Sequence, residues 1–270
     1  SCKSRRRLMT GQLMIRLLST LLLCCITLTS TVAEIKQHQY KIVERLNHST
    51  HIFTQGLALD NTSNESPTLW QSSGHYGQSF VQKSNLDGHK IQARFNFPTT
   101  QFAEGIALLD KHIYALTWQK NIAYQLNKDT LELIKKFPLK GQGWGLTHWK
   151  NQLLMSNGTG KLTWLDPSTF KAIKHINVTY QQQAMTYLND LSVIDNNIWA
   201  NVWQQNFLLE IDAENGNVIG LLDLTELVLE NTSDKPEAVL NGIAWDSQKQ
   251  ELLVTGKYWR YLYRIKITTQ

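Results

Sequence analysis

Four glycines in this chain each follow a side chain able to bind a ligand or do chemistry: Gln55-Gly56, Glu104-Gly105, Trp144-Gly145 and Asn241-Gly242. A divergent fifth copy reads Asn189-Asp190. A second set follows 12 to 15 residues later: Gln71, Trp118, Asn157, Trp203 and Lys257. A packing position would carry Val, Ile or Leu, so two matched sets of polar residues and tryptophans read as the lining of a ligand site. Glu104 is the sharpest member. Among tryptophans a carboxylate loses hydration, which raises its pKa, while Lys257 would pull it back down. Such a group can take and return a proton near neutral pH. The same residues also have a structural reading. Gly-Leu-Ala motifs serve turns and packing, tryptophans fill cores, and Glu104, Asp190 and Lys257 could form ion pairs.

Other chemistries find little support. The eight histidines are scattered with no His-x-x-x-His spacing, so no metal site is expected. Ser72 and Ser73 lack the context of a nucleophile elbow. No glycine-rich phosphate loop occurs, and no cofactor is expected.

These residues must be held by a repeating scaffold. Measured from Gly56, the copies start at intervals of 49, 40, 45 and 52 residues. Periods of that size correspond to about four short strands per unit, the blade of a propeller. Each copy is followed by a turn and a second apolar strand, as in His112-Ile-Tyr-Ala-Leu or Asn197-Ile-Trp-Ala. A third strand ends in turn residues such as Asp166-Pro167-Ser168, and a fourth runs out behind it. The expected fold is all-β: a five-bladed β-propeller over residues 34–270, with its central channel carrying the function. The last unit is one strand short, and the stretch from Tyr40 to Leu46 could supply it, so strands from both termini are expected to close the ring. Leu221–Glu230 reads as a short helix or insertion.

The net charge of +5 arises from Lys3, Arg5, Arg6, Arg7 and Arg16; beyond them, 22 basic residues balance 22 acidic ones. A basic surface for nucleic acid or membrane is not indicated. Arg16, the apolar run Leu17–Ile26 and small residues up to Ala33 form the pattern of a cleavable signal peptide over residues 1–33. The product would be secreted or periplasmic, a monomer, and without stable membrane association. Cys2, Cys24 and Cys25 all lie in that segment, so the mature chain would have no disulfide and no thiol nucleophile.

Eight segments, in order, resemble the glutamine cyclotransferases of the plant and bacterial type. They are Phe53-Thr-Gln-Gly-Leu, Ser73-Gly-His-Tyr-Gly-Gln-Ser, Glu104-Gly, Gly143-Trp-Gly-Leu, Leu188-Asn-Asp-Leu, Trp199-Ala-Asn-Val-Trp, Leu240-Asn-Gly-Ile-Ala-Trp-Asp and Thr255-Gly-Lys-Tyr-Trp. The resemblance spans roughly residues 40–266. It implies a five-bladed propeller that converts N-terminal glutamine of peptides to pyroglutamate and releases ammonia, without the zinc of the animal enzymes. It also implies that Glu104 transfers protons, that Trp118, Trp144 and Trp203 wall the channel, and that Gln55, Asn189 and Lys257 belong to the site. Departures from the family pattern fall at Gln71-Ser72 (usually Glu-Ser), at Asp190 and Ser192 (Glu and Glu), and at Asn157 (Asp). Lost carboxylates would weaken the grip on the substrate's ammonium group. Two other readings stay open on the residues alone: a non-catalytic propeller that binds peptide termini, and a metal-dependent propeller hydrolase.

Overall fold

The computed structural model describes residues 34–62 and 66–269. The expected signal peptide and all three cysteines lie outside the described residues. Strand β1 (Lys36–Asn47) comes first. Strands β2 (Thr54–Asp60), β3 (Thr68–Ser73), β4 (Phe80–Asn85) and β5 (Ile91–Asn96) then form a four-stranded antiparallel sheet in sequence order. Strands β6 (Ala103–Leu109), β7 (His112–Thr117), β8 (Ile122–Asn127) and β9 (Leu133–Pro138) form a second. A third consists of β10 (Leu146–Trp149), β11 (Gln152–Met155), β12 (Lys161–Leu165) and β13 (Ala172–Asn177). A short hairpin, β14 (Thr179–Tyr180) and β15 (Gln183–Ala184), precedes the last region.

That region holds β16 (Leu188–Ile194), β17 (Asn197–Val202), β18 (Phe207–Asp212), β19 (Val218–Asp223), the helix α1 (Thr225–Glu230), β20 (Leu240–Asp246), β21 (Glu251–Gly256) and β22 (Tyr261–Thr269). Its strands make one eight-stranded sheet in the order β16-β17-β18-β19-β1-β22-β21-β20. All its neighbours pair antiparallel except β1 and β19, which run parallel over three residue pairs. Strand β1 pairs with β22 over nine. At the parallel seam, His38 Nε2 lies 2.7 Å from Glu210 Oε2, and a Cβ on Gly220 would fall 2.6 Å from both atoms.

Burial falls from the first strand of a sheet to the last. β2 and β6 begin with runs of buried residues, whereas β5 and β9 are mostly exposed. The first strands are covered because the sheets pack face to face. Trp70, Val81 and Phe97 of the first sheet's region pack with Ile106, Ile113 and Tyr124 of the second. Leu57 and Leu69 of the first pack with Ala244, Leu253 and Leu262 at the end of the chain. The first strands also contact one another: β2 packs on β6 and β20, β6 on β10, and β16 on both β10 and β20. Such two-sided covering explains the near-continuous apolar runs in these strands, as in Ile106-Ala107-Leu108-Leu109 of β6.

Candidate active site

Four of the five first strands carry a break in ladder register at the expected site residues. The breaks lie between Thr54 and Gly56, Ala103 and Ile106, Leu188 and Leu191, and Leu240 and Ile243. A bulge turns a side chain out of the alternating pattern. Gln55, Glu104, Asn189 and Asn241 all fall inside these breaks, at one end of the strands. The glycines beside them let neighbouring strands close in. A Cβ on Gly105 would lie 2.5 Å from the backbone nitrogen of Leu146, and one on Gly145 would collide with the carbonyl of Asn189.

Strand order brings the second set to the same end. Trp118, Trp203 and Lys257 directly follow β7, β17 and β21. Lys257 and Glu104 are each only 5% exposed. Burial pushes the Glu104 carboxyl well above the usual carboxylate range, and Lys257 opposes that shift. Burial likewise lowers Lys257 to about 8, against the pull of Glu104 and Glu237. Among the described residues the two groups form no direct ion pair, and no protein group hydrogen-bonds the Glu104 carboxyl. An acid and a cation that sense each other without touching leave a gap for a polar ligand. The Lys257 ammonium also lies 4.3 Å from the centre of the Phe53 ring.

Aromatic rings continue around this end. Tyr187 lies 5.7 Å from Trp203, Trp203 meets Trp144 edge-on at 6.0 Å, and Trp118 lies 5.8 Å from Phe102. Trp118 and Trp144 are linked through Gln142, whose side-chain oxygen accepts both indole N–H groups at 3.0 Å. Asn241 donates to the backbone carbonyls of Thr54 and Gln55. The side-chain oxygens of Gln55, Asn189 and Asn241 are buried with no protein donor. Buried acceptors need partners, and a ligand or water must supply them here. Among the described residues no cluster of three His, Cys, Asp or Glu side chains is poised to hold a metal.

Residues 16–267 match the family model described as glutamine cyclotransferase. The chain belongs to the glutamine cyclotransferase family. A glutaminyl-peptide cyclotransferase of Arabidopsis thaliana is 37% identical over 234 residues, covering 85% of this chain and 72% of the relative. The crystal structure of Myxococcus xanthus glutaminyl cyclase superposes with a TM-score of 0.80 at 29% identity, over 88% of this chain and all of that one.

Three expected site residues of this cyclotransferase have other work. Gln71 lies inside β3, and its amide donates to Thr54 Oγ1 at 2.9 Å and to His48 Nε2 at 2.7 Å. Counting residues from Gly56 misses its place, because Thr54 pairs with Ser73 and the equivalent of Trp118 is therefore Gly74. Asn157 spends its side-chain oxygen on a turn, accepting from the backbone N–H and hydroxyl of Thr159. Next to it, Gly158 lies against the Trp144 indole. Asp190 is fully buried; its Oδ2 accepts the backbone N–H of Ile243 at 2.9 Å, which links β16 to β20, and its Oδ1 has no protein donor. Ser192 lines a separate cavity of about 630 Å³ at the opposite end of the same strands, where Lys128 pairs with Asp60 at 2.9 Å. Of the departures, Ser192 lies at the opposite end of the strands and Gln71 is tied to Thr54 and His48, whereas Asn157 stays beside the Trp144 wall.

Sequence reasoning missed Phe102, Gln142 and Tyr187 as wall residues. Each sits two places before a ring residue, as Phe53 does before Gln55, but all lie in the loops ahead of the first strands, where no strand period marks them.

Proposed function

We propose that this chain is a glutaminyl-peptide cyclotransferase acting on N-terminal glutamine, built on a five-bladed propeller. The cycle of contacts among β2, β6, β10, β16 and β20 supports five blades, with the fifth shared between β1 and β22. The chemistry rests on one observation: Glu104 is buried, unpaired and hard to ionise, beside the Lys257 ammonium.

The substrate's α-amine attacks its own γ-amide carbon. A carbon–nitrogen bond forms, the bond to the amide nitrogen breaks, and ammonia leaves. Nucleophile and electrophile share one residue, so the aromatic wall chiefly holds a cyclisable rotamer and excludes water. Glu104 carries the proton from the attacking amine to the departing nitrogen. Both indole N–H groups of Trp118 and Trp144 are held by Gln142, which leaves Lys257 and the Asn189 amide to stabilise the developing oxyanion. The test is ammonia release from a Gln-initiated dipeptide, with and without chelator. Full activity under chelation is expected, since no step is assigned to a metal. Of the departures that favoured a non-catalytic propeller, Ser192 lies at the opposite end of the strands and Gln71 is tied to Thr54 and His48.

Lys257 should set the alkaline limb of the rate profile. Its ammonium is lost as pH rises through about 8, so kcat/KM falls above that value. On the acid side the substrate amine protonates, near 7.7–8.0 for an ordinary α-amine. Lys257→Arg should move the alkaline limb upward; an unmoved limb assigns it elsewhere. Gln142→Ala frees two indoles, each losing a hydrogen bond worth about 1 kcal/mol. KM should rise about tenfold with a smaller change in kcat, and an unchanged KM would show that the indoles need no such brace.

We also propose that residues 1–33 are removed and that the mature enzyme works as a secreted or periplasmic monomer. N-terminal sequencing of the exported protein tests the cleavage site, and sedimentation tests the assembly state.

A further inference from the structure

A second cavity, of about 480 Å³, is lined by His75 and Tyr258, whose rings pack on Phe53 beside Lys257. Its lining includes His51, His75, Arg94, Lys235 and Tyr258, and no carboxylate. The Arg94 guanidinium donates to Gln82 at 2.6 Å and lies 4.1 Å from the centre of the Phe80 ring. The Lys235 ammonium sits 3.8 Å from the centre of the Tyr258 ring. Neither cation has a carboxylate partner among the described residues. Glu237, two residues beyond Lys235, is the acid that acts on His75, Tyr258 and Lys257, and it is not part of the lining.

The wall between this cavity and the catalytic pair is thin. His75 Nε2 and the Tyr258 hydroxyl lie 2.7 Å apart. Both rings pack on Phe53, at 4.3 Å and 5.3 Å, and Lys257 approaches that same ring. His75 has a φ of 91°, a region that costs a non-glycine residue energy and is kept only where the surroundings enforce it. The Ser79 hydroxyl helps enforce it by donating to the His75 carbonyl at 2.7 Å.

We propose that this basic cavity is the subsite for the peptide beyond the N-terminal glutamine and that it selects a carboxylate at the second or third residue. The proposal rests on the cyclotransferase reading. Two extended residues span about 7 Å, enough to carry a side chain from the Lys257 side of Phe53 to the His75 side. Cations without acidic partners, set at the edge of an aromatic pocket, favour an anionic guest and disfavour a cationic one.

The test compares kcat/KM for Gln-Ala-Ala-amide, Gln-Glu-Ala-amide, Gln-Ala-Glu-amide and Gln-Lys-Ala-amide at low ionic strength. At least one Glu peptide should exceed the neutral one by about fivefold, the gain expected of two exposed ion pairs, and the Lys peptide should fall below it. In the Arg94→Ala, Lys235→Ala double variant the preference should shrink toward one, with turnover of Gln-Ala-Ala-amide unchanged. Gln-Ala-Ala with a free C-terminus separates a side-chain carboxylate from a terminal one. No acidic preference, or a preference that survives the double variant, overturns the subsite. Turnover of Gln-Ala-Ala-amide scores the catalytic reading by itself. If that turnover is absent, calorimetric binding of the same peptides still decides the subsite.

Discussion

Glu104→Gln should lower kcat by about 10²–10⁴-fold, the usual yield of a positioned proton-transfer group, with KM changed only a few-fold. The substitution keeps shape and polarity, so the pocket walls and Lys257 stay in place. It removes only the capacity to accept and return a proton. Stability offers a second, independent readout. Burial raises the Glu104 pKa, so the folded state holds that proton more tightly than the unfolded chain. The stabilising contribution is complete below the unfolded carboxylate range and is lost as pH rises through the folded-state value. Relative to wild type, Glu104→Gln should therefore gain stability as pH rises. Steady-state kinetics and melting curves at several pH values measure both effects. A kcat within threefold of wild type would remove Glu104 from the proton path.

Asp190→Ala should cost about 3 kcal/mol, because it leaves a void and strips the acceptor from the buried N–H of Ile243. For a chain of this size that corresponds to a melting temperature lower by about 10 °C. Asp190→Asn is the control. It retains a carbonyl acceptor of nearly the same shape and should recover most of the loss. The Asp190 carboxyl is also pushed well above its ordinary range by burial. The same sign applies, so the asparagine variant should improve relative to wild type as pH rises. A drop below about 3 °C for the alanine variant would mean that the Ile243 N–H finds another partner.

The strand pattern was legible because turn residues and apolar runs mark it directly. The repeated glycines announce the close approach of neighbouring first strands, and the expected ring residues fall at the register breaks of β2, β6, β16 and β20. The mutual electrostatic influence of Glu104 and Lys257 was expected from the same repeats, and the pKa of each is shifted by the other. Gln71 was misplaced because sequence intervals count residues, while position around the site follows ladder register. For Asp190 no residue pattern tells whether a buried carboxyl faces a ligand or accepts from backbone donors; its Oδ2 does the latter. Asn157 occupies the expected position, and its side chain is consumed by the turn it builds. Gln142 is an exposed loop residue whose role depends on two indoles converging from different sheets, and only coordinates reveal that.

The pairing of β1 with β22 joins the first described strand to the last. Until the two meet, β21 presents a bare edge with apolar residues, open to pairing with other chains. Because β1 and β22 lie far apart in the sequence, their pairing closes a long loop and should form more slowly than the hairpins of the other sheets. The aggregation hazard during folding is therefore greatest before this seam closes, and chaperone demand should peak there.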